Sequence, residues 1–353
     1  MPAPGLTAAP ASTLRVAATD DAARWDAFVR GGEGATLCHR AAWRAVMADV
    51  LGHETLLWAA EDEEGEWRGV LPLVRVRSRL TGHHLVSMPF LNDGGPLGDE
   101  KARALLATHA LEEAKRSGAK VLELRLRADL PFPAATAPPR KVGSYLALPG
   151  TAEELWEKGF RAKLRSQIKR PQKEGMEFRC GHGELDAFYA VFARNMRDLG
   201  TPVLPRPWFA AIARHFGGET VFAAVYRGAE PVAGACCLLS GGEMEITWAS
   251  SLREHNAAAP NMLLYWGLMR EAIARGQRVF SFGRCTPGGP THRFKQQWGG
   301  TEAVLPWITW SPGGDAGTPS ADGAAYRLAV SAWRRLPMAV ANRLGPALSR
   351  HFP

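Results

Sequence analysis

Apolar positions in Thr55 to Ala60, Trp67 to Val76 and the segment HHLVSMPF come in short alternating or unbroken runs. They are bounded by the acidic turn EDEEGE and the turn cluster LNDGGPLGD, the pattern of strands joined by tight connections. Leu14 to Ala17 gives a shorter strand, a helix opens at Asp20, and a second helix is expected over His39 to Leu51. Helical periodicity returns over 99–117, closed by Gly118, and strand KVLELRL follows at once. The Pro-rich run PFPAATAPPRK separates it from strand KVGSYLAL. A second cycle starts at Thr151, which with Glu154 forms a capping box and opens a helix that Pro171 should terminate. Helices near 184–199 and 206–216 come next, then strands TVFAAVY and PVAGACCLL, joined by RGAE. Strand EMEITWAS, a polar loop, a helix over 261–275, strand QRVFSFG and a last strand near 302–310 finish the cycle.

The halves share one order: helices, three strands, a helix ended by glycine, two more strands. The chain has 353 residues, more than one hydrophobic core usually serves, so the repeat predicts two units. We expect them at residues 14–150 and 151–311, each a mixed β-sheet covered by helices, an α/β (α+β) class. Residues 1–13 are Ala/Pro-rich and expected to be disordered. Residues 312–353 form a linker and a basic amphipathic tail. The tail holds Arg327, Arg334, Arg335, Arg343 and Arg350, no acid, and an apolar stripe of Leu328, Trp333, Leu336, Val340, Leu344 and Leu348. Such a segment can lie on an anionic membrane surface or pack on the second unit.

Charge changes the picture of partners more than of fold. A net charge of +8 favours an anionic partner: nucleic acid, anionic lipid, or a phosphorylated or carboxylated substrate. The 5 cysteines include an adjacent pair and no CxxC, so neither a disulfide framework nor a zinc site is implied. No N-terminal signal-peptide pattern and no apolar stretch long enough to span a bilayer occurs, so a cytoplasmic location is expected, peripheral to the inner membrane if the tail binds it.

Three segments carry candidate chemistry. In KGFRAKLRSQIKRPQK, Arg161, Arg165 and Lys169 recur at helical spacing beside the apolar stripe Trp156, Phe160, Leu164 and Ile168. Arginine forks match phosphate and carboxylate, so this stripe suits an anionic ligand. In FSFGRCTPGGPTHRFKQQWGG, a buried strand delivers Arg284 to a glycine-rich turn leading to Lys295 and Trp298. The third segment, SLREHNAAAPNMLLYWG, joins a strand to a helix but holds no glycine between Leu252 and Met262, which weakens any backbone cradle for a pyrophosphate.

The runs RAKLRSQIKR, LLYWGLMREAIARG, FSFGR and FKQQWGG, in this order, resemble the FemABX-like or BioF2-like acetyltransferases of the GNAT superfamily. LGHETLLWAA, GVLPLVRVRSRLTGHHLVSMPFLNDGGP and RNMRDLGTP resemble a narrower branch, the FemAB-like proteins associated with XrtA/PEP-CTERM exopolysaccharide systems. The resemblance spans roughly residues 14–310. It implies tandem GNAT-like (acyl-CoA N-acyltransferase) domains and transfer of an acetyl or aminoacyl group to an amine. Arg165 would contact acceptor phosphate; Arg284, Phe294 and Lys295 would line the same cleft; Tyr265 and Asn261 would face the donor.

Acyl transfer to an amine needs a base and donors for the developing oxyanion. No G-x-S-x-G elbow occurs, so direct attack is expected. Backbone amides at a splayed strand, or Lys295, are the oxyanion candidates, and Glu245, His255 and Asp198 are the candidate bases. No tightly bound cofactor and no metal are expected; the donor is acyl-CoA or aminoacyl-tRNA. The acceptor is expected to be an anionic small molecule or glycan precursor. The enzyme reading requires a basic cleft where Arg165, Arg284 and Lys295 converge. Its rivals are a tRNA-binding module and a non-catalytic accessory protein of an envelope polysaccharide system.

Overall fold

In a computed structural model, which describes residues 13–136, 141–314 and 324–352, period-two burial and connectivity organise the chain into two sheets. The disorder expected for residues 1–13 falls, Thr13 apart, outside these residues. The first unit runs β1 (Arg15–Ala18), α1 (Ala22–Gly31), α2 (Trp43–Val46), β2 (Glu54–Glu61), β3 (Trp67–Ser78), β4 (Gly82–Val86), β5 (Leu97–Gly98), α3 (Glu100–Arg116), β6 (Val121–Leu124) and β7 (Lys141–Ala147). The second begins with α4 (Ala152–Glu154), α5 (Ala162–Lys173), β8 (Met176–Cys180), α6 (Leu185–Leu199), α7 (Arg206–Phe216), β9 (Thr220–Arg227), β10 (Glu230–Ser240) and β11 (Glu243–Ser251). It continues with α8 (Pro260–Ala274), β12 (Val279–Cys285), α9 (Pro290–Gln296), β13 (Thr301–Leu305) and β14 (Ile308–Trp310), and the tail adds α10 (Ala324–Arg334) and α11 (Met338–Ser349).

Among the described residues one sheet has the order β1-β2-β3-β4-β6-β14, with β5 on β3, and the other β13-β7-β12-β11-β10-β9-β8. The units therefore exchange strands. β7, on the first-unit side of the sequence boundary at 150, pairs with β12 and β13. β14 pairs with β6 of the first sheet. The single strand expected near 302–310 is thus two strands that serve different sheets. Each sheet also holds one parallel pair, β4 with β6 and β11 with β12. The second of these pairs only Glu243–Glu245 with Val279–Ser281, after which both strands run on without pairing to each other.

The two sheets share a core. Trp43, Met47, Leu51, Val74, Val76 and Met88 of the first unit pack with Phe188, Trp208, Phe209, Phe222 and Trp248 of the second. Trp43 alone meets Trp208 at 5.6 Å and Phe216 at 4.8 Å between ring centroids. On the far face of the second sheet, Leu164 and Ile168 of α5 pack with α8 and with Met244 and Ile246 of β11. Helix α8 approaches β8 so closely that a Cβ on Gly267 would lie 2.4 Å from the Phe178 ring.

Three local expectations are corrected. The helix over 39–51 is a 3-10 turn at Leu37–His39, the short α2 and a π turn at Met47–Leu51, ended by Gly52 at φ 68°. The helix opened at Thr151 breaks at Phe160 and Arg161, both extended, and restarts as α5, which continues through Pro171 to Lys173. Pro171 sits in the last turn, where only one carbonyl partner is lost. The glycine-rich turn after Arg284 contains α9.

Replacing Trp43 by alanine empties the junction between the sheets. We expect Trp43→Ala to lower unfolding free energy by about 3–5 kcal/mol in urea titration, with both units unfolding together.

Candidate active site

Residues 87–95 leave β4 and cross to the second sheet. Two of them, Met88 (φ 57°) and Phe90 (φ 70°), are non-glycine residues in the left-handed region, which costs on the order of 1–3 kcal/mol each. Hydrogen bonds from both units hold them there. Arg125 donates to the carbonyls of Met88 (3.1 Å) and Leu91 (2.6 Å). From β12, Arg284 donates to Leu91 O (3.0 Å) and Asn92 Oδ1 (2.6 Å). The Trp307 ring lies under both guanidinium groups, at 4.9 and 5.2 Å. Asn92 then donates to Glu245 Oε1 (3.0 Å) beside Gly283, where β12 bulges and a Cβ would lie 2.9 Å from the Asn92 amide nitrogen. Gly283 (φ 65°) is thus required by both its conformation and this approach.

The crossing segment closes one side of an interdomain cavity of about 280 Å³, bounded by Thr36 and Cys38, by Asp93 and Arg127, and by Glu243 and Glu245. Arg127 donates to Asp93 Oδ2 (2.7 Å), forks onto both oxygens of Glu243 (2.9 and 2.8 Å) and lies 3.7 Å from Glu245 Oε2. One guanidinium thus serves three carboxylates. Burial, with the charge of Asp93 added and Arg127 opposing, pushes Glu245 up to about 7. Burial also raises Asp93 above the usual carboxylate range, against the pull of Arg127. Burial disfavours the charged Arg127, but Asp93 and Glu243 outweigh it and hold the guanidinium firmly protonated. Glu245 Oε1 accepts from Asn92 and from Thr247 Oγ1 (2.8 Å), which leaves Oε2 as the oxygen toward Arg127. A buried carboxyl close to half-protonated at neutral pH can exchange a proton with an amine.

Neither Cys38 nor the neighbouring His39 adds a group that titrates near neutrality. Burial, then the charges of Asp93 and Glu245, raises the Cys38 thiol far above its usual value, so it is no thiolate nucleophile. Burial lowers His39 to about 4. Its Nδ1 accepts from the Thr36 N–H and its Nε2 faces the Gly95 carbonyl (3.1 Å), a pairing that fits a neutral ring.

Asn92 links Arg284 to Glu245, and Lys295 is near enough to feel the charge of both, although of these three only Glu245 borders the cavity. Lys295 on α9 is buried, and its Nζ donates to the carbonyls of Gly283 (2.9 Å) and Arg284 (2.8 Å). Burial lowers it to about 8 and lowers Arg284 to about 10. Arg165 does not join them. Met244 and Ile246 face the core under α5, so Glu245 between them points to the opposite face. The Arg165 guanidinium instead caps the carbonyls of Trp156 (3.2 Å) and Phe160 (2.5 Å) where the helix breaks. Arg161 is exposed, and the Lys169 ammonium sits 5.6 Å over Trp156. The expected basic cleft is thus replaced by an acid-rich cavity, with the basic stripe on the other side of the sheet.

Tyr265 stacks on Trp298, and Phe294 meets both edge-on, as core around the root of Lys295. Asn261 donates to Ser251 Oγ (3.0 Å) at the start of α8, where Ala259 is left-handed (φ 58°). His255 lies in the turn before α8, 3.6 Å from Glu230, and Asp198 pairs with Arg197 (2.6 Å) on α6. Of the three candidate bases, only Glu245 borders the cavity. Asp93, Asn92, Arg127 and Glu243 escaped the sequence reading. A signal existed in LELRLR, where Arg125 and Arg127 alternate with the core residues Leu124 and Leu126 and so require buried counter-charges.

Residues 158–296 match the family model described as Acetyltransferase (GNAT) domain. The fold is a tandem GNAT fold. FemX aligns at 14% identity with a TM-score of 0.63, over 84% of this chain and 97% of its own. L-PGS from Bacillus licheniformis aligns at 13% and 0.51, over 92% and 96%. The tandem GNAT protein from the clavulanic acid biosynthesis pathway aligns at 13% and 0.51, over 87% and 100%. No curated protein matches the sequence. At these identities the structural likenesses establish fold.

Burial favours neutral Glu245, so its contribution to stability is full below its solution pKa and is lost as pH rises through about 7. Removing Arg127 deepens that loss. Arg127→Met should cost about 3–5 kcal/mol at pH 8 and clearly less at pH 5, where the carboxyls take up protons, as read by urea titration at both pH values.

Proposed function

We propose that this protein is an N-acyltransferase that moves an acetyl or aminoacyl group onto an amine of a phosphorylated or carboxylated cell-envelope or exopolysaccharide precursor. The observation that carries the reading is Glu245, buried in the cavity between two GNAT-like units and tuned close to neutrality. An acceptor amine enters as ammonium, drawn by Asp93 and Glu243. Glu245 Oε2 takes its proton, and the freed nitrogen attacks the acyl carbonyl. The carbon–nitrogen bond forms and the bond to the donor breaks, releasing coenzyme A thiol or the tRNA ribose hydroxyl. Lys295, held at the bulge of β12, is the cationic donor for the oxyanion.

Two further features support parts of this reading. Arg161 and Lys169 lie on an exposed helix face, and among the described residues neither pairs with an acid; this suits the phosphates of a nucleotide-bearing donor. The acid-free C-terminal segment suits peripheral contact with a membrane.

Purified protein mixed with labelled acetyl-CoA or aminoacyl-tRNA and amino-sugar acceptors tests the proposal. Turnover should rise with pH through about 7 as Glu245 loses its proton. Glu245→Gln should lower kcat by roughly 10²–10⁴-fold and flatten that pH profile. Wild-type turnover in Glu245→Gln would overturn the assignment.

A further inference from the structure

Helix α11 is attached the wrong way round for a surface helix. Its buried stripe is Ala341, Gly345 and Ser349, and a Cβ on Gly345 would lie 2.9 Å from the backbone nitrogen of Val203. The small residues thus face the protein, while Val340 (40% exposed) and Leu344 (45%) face outward, continued by Phe352 (45%) beyond the helix. A helix that packs by its smallest side chains and presents its large apolar ones to solvent has its second apolar face free.

That face adjoins another exposed element. Thr81 in the β3–β4 turn donates its hydroxyl to the His351 carbonyl (3.0 Å), which sets the turn beside the C-terminal end of α11. The tip of this turn carries Leu80, 62% exposed. Around these apolar side chains the free charges are of one sign. Arg77 and Arg79 precede Leu80, Arg335 precedes α11, and Arg343 lies on it; all four are exposed with no acidic partner among the described residues. Arg77 and Arg79 also line a surface groove of about 680 Å³ with His83 and with Arg75 and Arg116, which are both paired with Glu113 in the same groove. From residue 324 onward the sequence contains no Asp or Glu.

We infer that this end of the molecule docks on an anionic phospholipid bilayer. Leu80, Leu344 and Phe352 enter the headgroup–acyl boundary, and the arginines meet lipid phosphates. The inference deepens the peripheral-membrane part of the proposed function and does not depend on the transfer chemistry. Self-association through the same face would bring arginines against arginines, so a bilayer of opposite charge is the fitting occupant. Insertion by apolar side chains and attraction to anionic headgroups are both needed, because either alone gives weak binding.

Co-sedimentation of the full chain with phosphatidylcholine vesicles, with and without phosphatidylglycerol, tests this without donor or acceptor. The protein should sediment with the anionic vesicles and stay in solution with the zwitterionic ones, releasing as salt is raised. The double variant Leu344→Glu, Phe352→Glu should bind at least roughly tenfold more weakly, and Arg77→Ala with Arg79→Ala should weaken binding severalfold. All these side chains are exposed, so unchanged melting temperatures will separate lost binding from lost folding. No sedimentation of wild type with phosphatidylglycerol vesicles would overturn the inference. So would undiminished sedimentation of the glutamate variant, or a stable dimer in solution that the glutamates dissolve. Because no turnover is measured, failure here leaves acyl transfer standing, and an inactive protein that still sediments would leave the docking standing.

Discussion

A single guanidinium set among three carboxylates is the constraint on which the centre of this molecule depends. Arg127 lies just past β6 of the first sheet, and Glu243 and Glu245 lie on β11 of the second, so their charges are balanced only while the two sheets keep their spacing. Buried charges tolerate little displacement, since losing a partner exposes the full desolvation cost of the other. The balance is also incomplete by design of numbers: one positive group cannot neutralise three negative ones. The shortfall appears in the raised pKa of both buried carboxyls, Asp93 and Glu245, and Glu245 has one oxygen satisfied by Asn92 and Thr247 and the other turned toward Arg127.

Several features serve to keep the spacing fixed. The shared aromatic core around Trp43 and Trp208 joins the sheets through shape, and the crossing segment 87–95 joins them through hydrogen bonds. The strain at Met88 and Phe90 is offset because Arg125 and Arg284, both stacked on Trp307, grip the carbonyls of the same short stretch. The cavity is thereby a property of the assembled pair of units, and neither unit holds it alone.

Much of the architecture was legible in the sequence because strand and helix periodicities are local. The element order, the repeat of the two units and the gathering of Arg284 and Lys295 near one strand end all follow from neighbours in sequence. Arg127 was not legible as a site residue, since its partners Asp93 and Glu243 lie 34 and 116 positions away and no local pattern pairs them. Arg165 misled for the opposite reason: its helical spacing is real, but strand alternation turns Glu245 to the other face of the sheet. Strand exchange was equally hidden, because β7 and β14 look like ordinary last strands of their own units.

That exchange bears on how the protein is made. The first sheet cannot acquire its edge strand β14 until residues 308–310 have been synthesised, and β7 must wait for β12 and β13. The first unit is unfinished when its own stretch of chain leaves the ribosome, so the usual order of domain-by-domain folding during translation is closed to this chain. Pairings this distant in sequence form slowly. The nascent first half waits with an open sheet edge, and its dependence on chaperones should exceed that of a two-domain protein with self-contained sheets.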